Sequence, residues 1–294
     1  MRDTRDAFLG DMPIETRRRR MDAAARRGIR VPRSVTVRSV AAGSVPAEWL
    51  EPEGADPARV ILYLHGGAYV ICSPTTHRGL AGRIAQAANC RLLLIDYRLA
   101  PEHPFPAALD DAQAAYRYLL DQGFDPGHIA IGGDSAGGGL TLATALSLRD
   151  HADPLPAALF LLSPWTDLTF SGDSVHTRAD RDPLLSVNDE WLTQAYAAAQ
   201  PLTHPYISPL FADLRGLPST LIQVGSEEIL FDDSSRLETK LKAAGVSASL
   251  EVWDGVWHVF QAFAPYVPEA SPAIERIGKF VRKRVKTNIK EKRT

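Results

Sequence analysis

The sequence predicts an α/β fold, with a mostly parallel sheet of eight strands and helices packed on both faces. Three observations carry this. From Val60 onward, short apolar runs alternate with longer helix-like stretches, the pattern of a sheet covered on both sides. A glycine-rich turn, Gly132-Gly133-Asp134-Ser135-Ala136-Gly137-Gly138, stands between the run Ile129-Ala130-Ile131 and the run Leu140 to Leu148. The chain has 294 residues and 45% hydrophobic content, enough for one large α/β domain with an insertion.

Taken in order, the first two strands are expected at Val35–Val40 and Ala47–Leu50. The short Gly43-Ser44 turn between them predicts an antiparallel start. Val60–Leu64 is an unbroken apolar run of the kind a buried strand shows, and a helix over Thr76–Ala88 follows. Strand Arg91–Asp96, helix Phe105–Gln122, strand Ile129–Gly132, helix Ala136–Arg149 and strand Ala158–Leu162 continue the alternation. Later come strand Thr220–Val224, helix Asp232–Ala244, the alternating strand Ser247–Trp253 and a last helix, Ala273–Lys286. In that helix Ile274, Ile277, Val281 and Val285 fall on one face. Two segments stand outside the alternation. Residues 1–34 read as helical and precede the sheet. Residues 167–214 are too long for a plain crossover and hold a helical stretch, Asn188–Ala199, followed by turns at Pro201, Pro205 and Pro209. Residues 35–166 and 215–294 are then the core.

The glycine-rich turn carries the chemistry. A serine between small residues at a strand-to-helix junction is the pattern of a nucleophile elbow. The turn leaves no room for side chains at Gly133 and Gly137. It pushes the Ser135 hydroxyl out of the sheet, in front of a helix N-terminus that favours negative charge. A serine hydroxyl needs a base, the base needs an orienting carboxylate, and the oxyanion needs donors. His65-Gly66-Gly67-Ala68-Tyr69 follows a strand directly, and glycines there let backbone N–H groups approach a ligand. Gly66 and Gly67 are therefore candidate oxyanion donors, joined by the N–H of Ala136, while His65 reads as a residue that orders this loop. Of the eight histidines, His258 alone lies on a loop after a late strand, where the base belongs. The acid is expected just past the strand Thr220–Val224, at Glu227 or Glu228. Asp232 and Asp233 read instead as the first turn of the next helix.

These motifs resemble the bacterial hormone-sensitive-lipase-like (family IV) esterases of the α/β-hydrolase fold. The resemblance runs from about Val60 to Phe260. It rests on His65-Gly66-Gly67, Asp96-Tyr97-Arg98-Leu99-Ala100-Pro101-Glu102-His103-Pro104-Phe105-Pro106-Ala107, Gly133-Asp134-Ser135-Ala136-Gly137-Gly138, Ser163-Pro164-Trp165-Thr166-Asp167-Leu168 and His258-Val259-Phe260. It implies that Ser135 is the nucleophile and His258 the base. It places the acid at Glu228, where the family usually reads Asp-Pro-Leu and this chain reads Glu228-Ile229-Leu230. Ala68 stands where a third glycine is usual, its methyl either narrowing the acyl side or pointing away. The resemblance also implies a cap over the active site formed by residues 1–34 and 167–214, with Tyr69, Trp165 and Trp191 as candidate aromatic linings. The expected activity is hydrolysis of short- to medium-chain acyl esters through an acyl-enzyme, with its rate falling on acidification near the ordinary histidine pKa of about 6.5. The same machinery would serve a lactone, an N-acyl amide or a carbamate. A non-catalytic small-ligand receptor, as in the related plant gibberellin receptors that lack the histidine, is the other class, and the presence of Ser135 with His258 argues against it. The resemblance also implies a homodimer through the last strand and helix, which the run Ser247–Trp253 permits but does not demand.

Composition narrows the partners. The formal net charge is −2, so no global field recruits nucleic acid. The basic stretches, Arg17 to Arg20 with Arg26 and Arg27, and Lys279 to Arg293, read as solvated helix faces and a terminal tail. No signal-peptide core follows Met1-Arg2-Asp3, and no run approaches the ~20 apolar residues of a membrane span. The two cysteines, Cys72 and Cys90, imply no disulfide, and a reduced cytoplasmic setting is expected. No zinc-spaced Cys/His cluster or phosphate-binding loop is present, so no metal and no cofactor is expected.

Overall fold

The computed structural model describes residues 12–28, 30–185, 190–264 and 266–286. Parts of three expectations lie outside these residues. They are residues 1–11 and 29 of the N-terminal segment, Asn188 and Asp189 of the insertion helix, and the basic tail beyond residue 286.

Eight strands form one sheet in the order β1-β2-β4-β3-β5-β6-β7-β8. They are β1 (Val35–Ala42), β2 (Val45–Pro52), β3 (Asp56–Leu64), β4 (Cys90–Ile95), β5 (Ile129–Asp134), β6 (Ala158–Leu162), β7 (Ser219–Gly225) and β8 (Ala248–Trp253). β2 runs antiparallel to β1, as the short Gly43 turn between them requires, and also to β4, and every pairing from β4 to β8 is parallel. β5 and β6 are buried along their whole length, which is why they read as unbroken apolar runs. β8 is an edge strand, its side chains only partly covered or exposed. Each expected strand is present. β3 begins four residues before the expected Val60, with a register shift between Asp56 and Val60.

The helices are α1 (Ile14–Gly28), α2 (Pro74–Ala88), α3 (Ala107–Asp121), α4 (Ala136–Asp150), α5 (Ser174–Thr177), α6 (Glu190–Ala197), α7 (Phe231–Ala243) and α8 (Ala270–Arg284). Helix α2 starts at a capping box on Ser73, which satisfies N–H groups the helix itself cannot. Helix α3 starts at Ala107 rather than Phe105, because proline occupies the N-cap position at residue 106. On α8, the expected apolar face of Ile274, Ile277 and Val281 is buried on one side of the sheet with Leu80 and Ile84 of α2. A Cβ on Gly278 would strike the Ala87 backbone, so glycine there sets how closely α8 approaches α2. Leu140, Leu142 and Leu146 of α4 and Leu237 and Leu241 of α7 belong to the core on the opposite face.

Helix α1 is tied to the sheet end of the molecule by two side chains. Arg18 donates to the Val70 and Ala100 carbonyls, each at 2.8 Å, and forks onto the Glu102 carboxylate at 2.8 and 2.9 Å. Asp22 accepts from the Ser73 hydroxyl at 2.6 Å. Part of the basic stretch expected to be a solvated face is therefore structural. Among the described residues, no helix is long and apolar enough to cross a membrane.

Candidate active site

Strand β5 ends at Asp134 and α4 begins at Ala136, leaving Ser135 as the single residue of the corner. Its backbone is at φ 52°, ψ −122°, a region that costs a non-glycine residue strain and persists only when neighbours over-determine it. Here they do. The Ser135 amide donates to the Leu162 carbonyl at 2.8 Å, and the Ser135 carbonyl accepts from Gly138, Gly139 and Trp165 at 2.9, 3.1 and 2.9 Å. Cβ atoms on Gly133 or Gly137 would collide with the backbone of Leu64 and of the turn itself. The glycines thus let β3 and α4 close around the serine.

The Gly66-Gly67 loop leaves the end of β3 beside this corner. Gly67 is at φ +117°, and a Cβ there would meet the Ile71 carbonyl. Its own carbonyl accepts from the Val70 and Ile71 amides at 2.9 Å each. Nδ1 of His65 donates to the Gly66 carbonyl at 2.7 Å. The bond to the Gly66 carbonyl holds the peptide that carries the Gly67 N–H, and the bonds to the Gly67 carbonyl hold the peptide that carries the Ala68 N–H, before a ligand arrives. The His65 ring stacks on Tyr97, with centroids 4.3 Å apart, and the Tyr97 hydroxyl donates to the His65 carbonyl at 2.7 Å. Burial, with the nearby His77, pulls the His65 pKa down to about 3. The lowered pKa makes His65 a weak base, and its bonds order the loop.

Glu228 and His258 meet across two loops that follow β7 and β8. The Glu228 carboxylate is fully buried. Oε2 accepts from Nδ1 of His258 at 3.0 Å, and Oε1 accepts from the Ser163 hydroxyl at 2.7 Å and the Gly225 amide at 2.6 Å. The backbone links the two loops as well: Ser226 and Glu227 amides donate to the Trp253 and Val256 carbonyls at 2.8 and 3.1 Å. Val259 sits in the left-handed region, φ 48°, and its amide is held by the Ser163 hydroxyl oxygen at 3.1 Å. Burial alone would lower the His258 pKa. The hydrogen bond and charge of Glu228, with the Asp182 and Asp134 carboxylates, outweigh it and raise the imidazole above its ordinary 6.5.

Glu227, the other candidate acid, turns away: it accepts from the Ser226 hydroxyl at 2.8 Å and faces Arg181 at 3.7 Å. Asp232 and Asp233 lie in the first turn of α7 as expected, yet their bonds go elsewhere. Asp232 accepts from the Ser174 amide at 2.8 Å. Asp233 accepts from the Thr166 and Asp167 amides at 2.7 and 2.8 Å.

Ser135 and His258 line one cavity of about 370 Å³. Its walls are mainly apolar: Met21, Ala24 and Ala25 from α1, Phe170, Leu184, Leu185 and Leu192 from the insertion, and Ile71, Ile229 and Leu230 from the core. Gly67 and Ala68 also face it, so the Ala68 methyl borders the space beside Ser135. Of the three aromatic candidates, Trp165 is a lining residue and the other two are not. Tyr69 is buried, stacked on Tyr196 at 3.7 Å, with its ring 6.3 Å from that of Trp165. Trp191 is 41% exposed, with Arg17 above its ring at 5.9 Å, because its position on α6 turns it outward while Leu192 turns in.

Two groups here escaped the sequence reading. Ser163 bridges Glu228 and Val259; its motif, Ser163-Pro164-Trp165, was visible, but nothing in it pointed to the acid. Asp134, inside the serine motif, accepts from Tyr63 at 2.8 Å and pairs with His77 at 3.2 Å. His77 and Tyr63 hold its carboxyl below the usual range despite complete burial.

Comparison with known proteins agrees with this fold. A family model described as alpha/beta hydrolase fold matches residues 61–262. An acetyl-hydrolase of Streptomyces hygroscopicus is 46% identical over 244 residues, 83% of this chain and 81% of that protein. An esterase of Acinetobacter venetianus is 38% identical over 253 residues, 84% of this chain and 82% of its own. Among solved structures, an esterase from the bacterial hormone-sensitive lipase family superposes with a TM-score of 0.93 at 46% identity, covering 96% of each chain.

Proposed function

The chain belongs to the bacterial hormone-sensitive-lipase-like esterases of the α/β-hydrolase fold and is a carboxylic ester hydrolase, and we propose that it works through an acyl-enzyme on Ser135, with His258 as base and Glu228 as the orienting acid. The single observation that carries this reading is the 3.0 Å bond from His258 to the buried Glu228, at the wall of the cavity that Ser135 also lines.

The chemistry follows from the bonds. A carboxylate can only accept, so Nδ1 of His258 carries the hydrogen and Nε2 is left with a lone pair. That lone pair takes the Ser135 proton as the oxygen attacks the ester carbonyl. The negative charge moves to the carbonyl oxygen, where the N–H groups of Gly66, Gly67 and Ala136 receive it. The peptides that carry the Gly66 and Gly67 N–H groups are held by the bonds to the His65 and Gly66 carbonyls, and each such donor is worth about 10²–10³ in rate. The imidazolium, stabilised by Glu228, returns its proton to the leaving alcohol. Water then attacks the acyl-enzyme by the same route, and the acid product leaves.

Helix α1 and the insertion 167–214 act as a cap, since both contribute walls to the cavity. Its limited, mainly apolar space suits short- to medium-chain acyl groups. The test is hydrolysis of p-nitrophenyl esters from acetate to laurate. Turnover should peak at short or medium length, and Ser135→Ala should abolish butyrate turnover while leaving the melting temperature in place. Full activity in that variant ends the reading.

A further inference from the structure

The segment 172–182 grips the loop that carries Glu228. Arg178 donates to the Ser226 carbonyl and lies over the Phe231 ring, 3.7 Å from its centroid. The Ser174 hydroxyl donates to the Ile229 carbonyl at 2.6 Å and accepts from the Asp232 amide at 3.0 Å. Asp182 closes the grip. One of its oxygens accepts from the Leu184 and Leu185 amides at 3.0 and 3.1 Å, and the other accepts from the Ile229 amide at 3.2 Å. All three amides belong to residues that line the cavity, and Ile229 directly follows Glu228.

Asp182 is only 2% exposed, and among the described residues no cation is paired with it. A buried carboxylate held by neutral amides alone is costly unless a positive charge forms nearby. Through the Ile229 amide Asp182 is bonded to the residue next to Glu228, which itself holds His258, so the imidazolium made on His258 during turnover is such a charge. We propose that Asp182 is a positioning residue: it holds the acid loop and the Leu184, Leu185 and Ile229 wall in one register, and its charge joins that of Glu228 in favouring the imidazolium on His258.

This inference rests on the reading of Glu228 and His258 given above. The carboxylates that act on His258 are Glu228 from the acid loop, Asp182 from the insertion and Asp134 from the end of β5, and each raises the imidazole pKa against the lowering effect of burial. The other titratable or cationic side chains of the cavity are His77 and Cys72 on the core side and Arg17 and Arg20 on α1.

The experiment is the pH profile of kcat/KM for Asp182→Asn, Ser174→Ala and Glu228→Gln, with kcat and KM separated for short and longer acyl esters. Removing the Asp182 charge should move the acid limb to lower pH, lower kcat several-fold and raise KM most for the longer acyl group. Ser174→Ala loosens the grip without removing the charge, so kcat should fall with the acid limb unmoved. A D182N enzyme whose rate falls while its acid limb stays in place reduces Asp182 to scaffolding and overturns the proposal. So does wild-type kcat in both variants. Should D182N fail to fold by circular dichroism, S174A tests the grip, and wild-type kcat in it is the overturning result. Wild-type rate in E228Q would refute Glu228 as the acid, whereas loss in E228Q beside unchanged D182N would refute only this inference.

Discussion

Replacing Glu228 by glutamine changes one atom, and the structure dictates how that atom must sit. Oε1 receives two donors, the Gly225 amide and the Ser163 hydroxyl, at 2.6 and 2.7 Å. The Ser163 oxygen is itself occupied by the Val259 amide, so its hydrogen remains directed at Glu228. The amide oxygen of glutamine must therefore take the Oε1 place, and its NH₂ group must take the Oε2 place facing Nδ1 of His258. An NH₂ group donates, so Nδ1 must accept, and the proton moves to Nε2. A protonated Nε2 has no lone pair with which to receive the Ser135 proton. The fold should survive, because every bond to Oε1 is kept. In a serine protease triad the same exchange of acid for amide costs about 10⁴ in kcat, and a fall of about 10³–10⁴ in kcat is expected here, equivalent to about 4–5.5 kcal/mol of lost transition-state stabilisation. The assay is steady-state hydrolysis of p-nitrophenyl butyrate, with circular dichroism and melting as the fold control. A folded E228Q enzyme that keeps a tenth or more of wild-type kcat would show that another group orients His258, and the reasoning from Oε1 would fail with it.

Three further outcomes are expected. Because Glu228 and its neighbouring carboxylates raise His258 above 6.5, the acid limb of kcat/KM should lie above that pH in the wild type; a limb at or below it would show that burial prevails. Gly67→Ala forces a Cβ toward the Ile71 carbonyl at a φ of +117°, so the loop must move and kcat should fall about 10²–10³ with little change in KM; activity within threefold of wild type would refute its role at the oxyanion. Asp233 is pushed by burial, with Asp167 adding to it, from 3.8 up to about 7. The folded state then holds a proton that the unfolded chain has released, so the stability from this group is complete below about pH 4 and is lost as pH rises through 7. Asp233→Asn cannot ionise, so wild-type melting should decline relative to the variant between pH 5 and 8, and parallel curves would contradict this.

Most of the fold was legible because parallel strands buried on both faces must be continuously apolar and because glycines mark the places where backbones approach. Strands β3 to β7 were read for the first reason, and the Ser135 corner for the second. Element ends were less legible. The sequence placed the start of α3 at Phe105 and that of β3 at Val60, where a proline cap and a register shift set other limits. The short α5 gave no signal at all, being held by Ser174 and Asp232 rather than by any periodicity of its own.

What the sequence determined by itself was chemistry with a local cause: a strained serine between glycines, a histidine after the last strand, a glycine pair after β3. Each depends on a few adjacent residues and the rules of backbone geometry. Local rules left Glu227 and Glu228 both open, with only the family resemblance pointing to Glu228; the tertiary structure brings Glu228 to His258, its Oε1 taken by the nearby Gly225 amide and by Ser163 from another part of the fold. It likewise decided which aromatic side chains reach the cavity, putting Trp165 on the wall, Tyr69 in the packed interior and Trp191 half exposed beneath Arg17. A side chain's facing is fixed by everything packed around it, and residues far apart in the chain supply most of that packing.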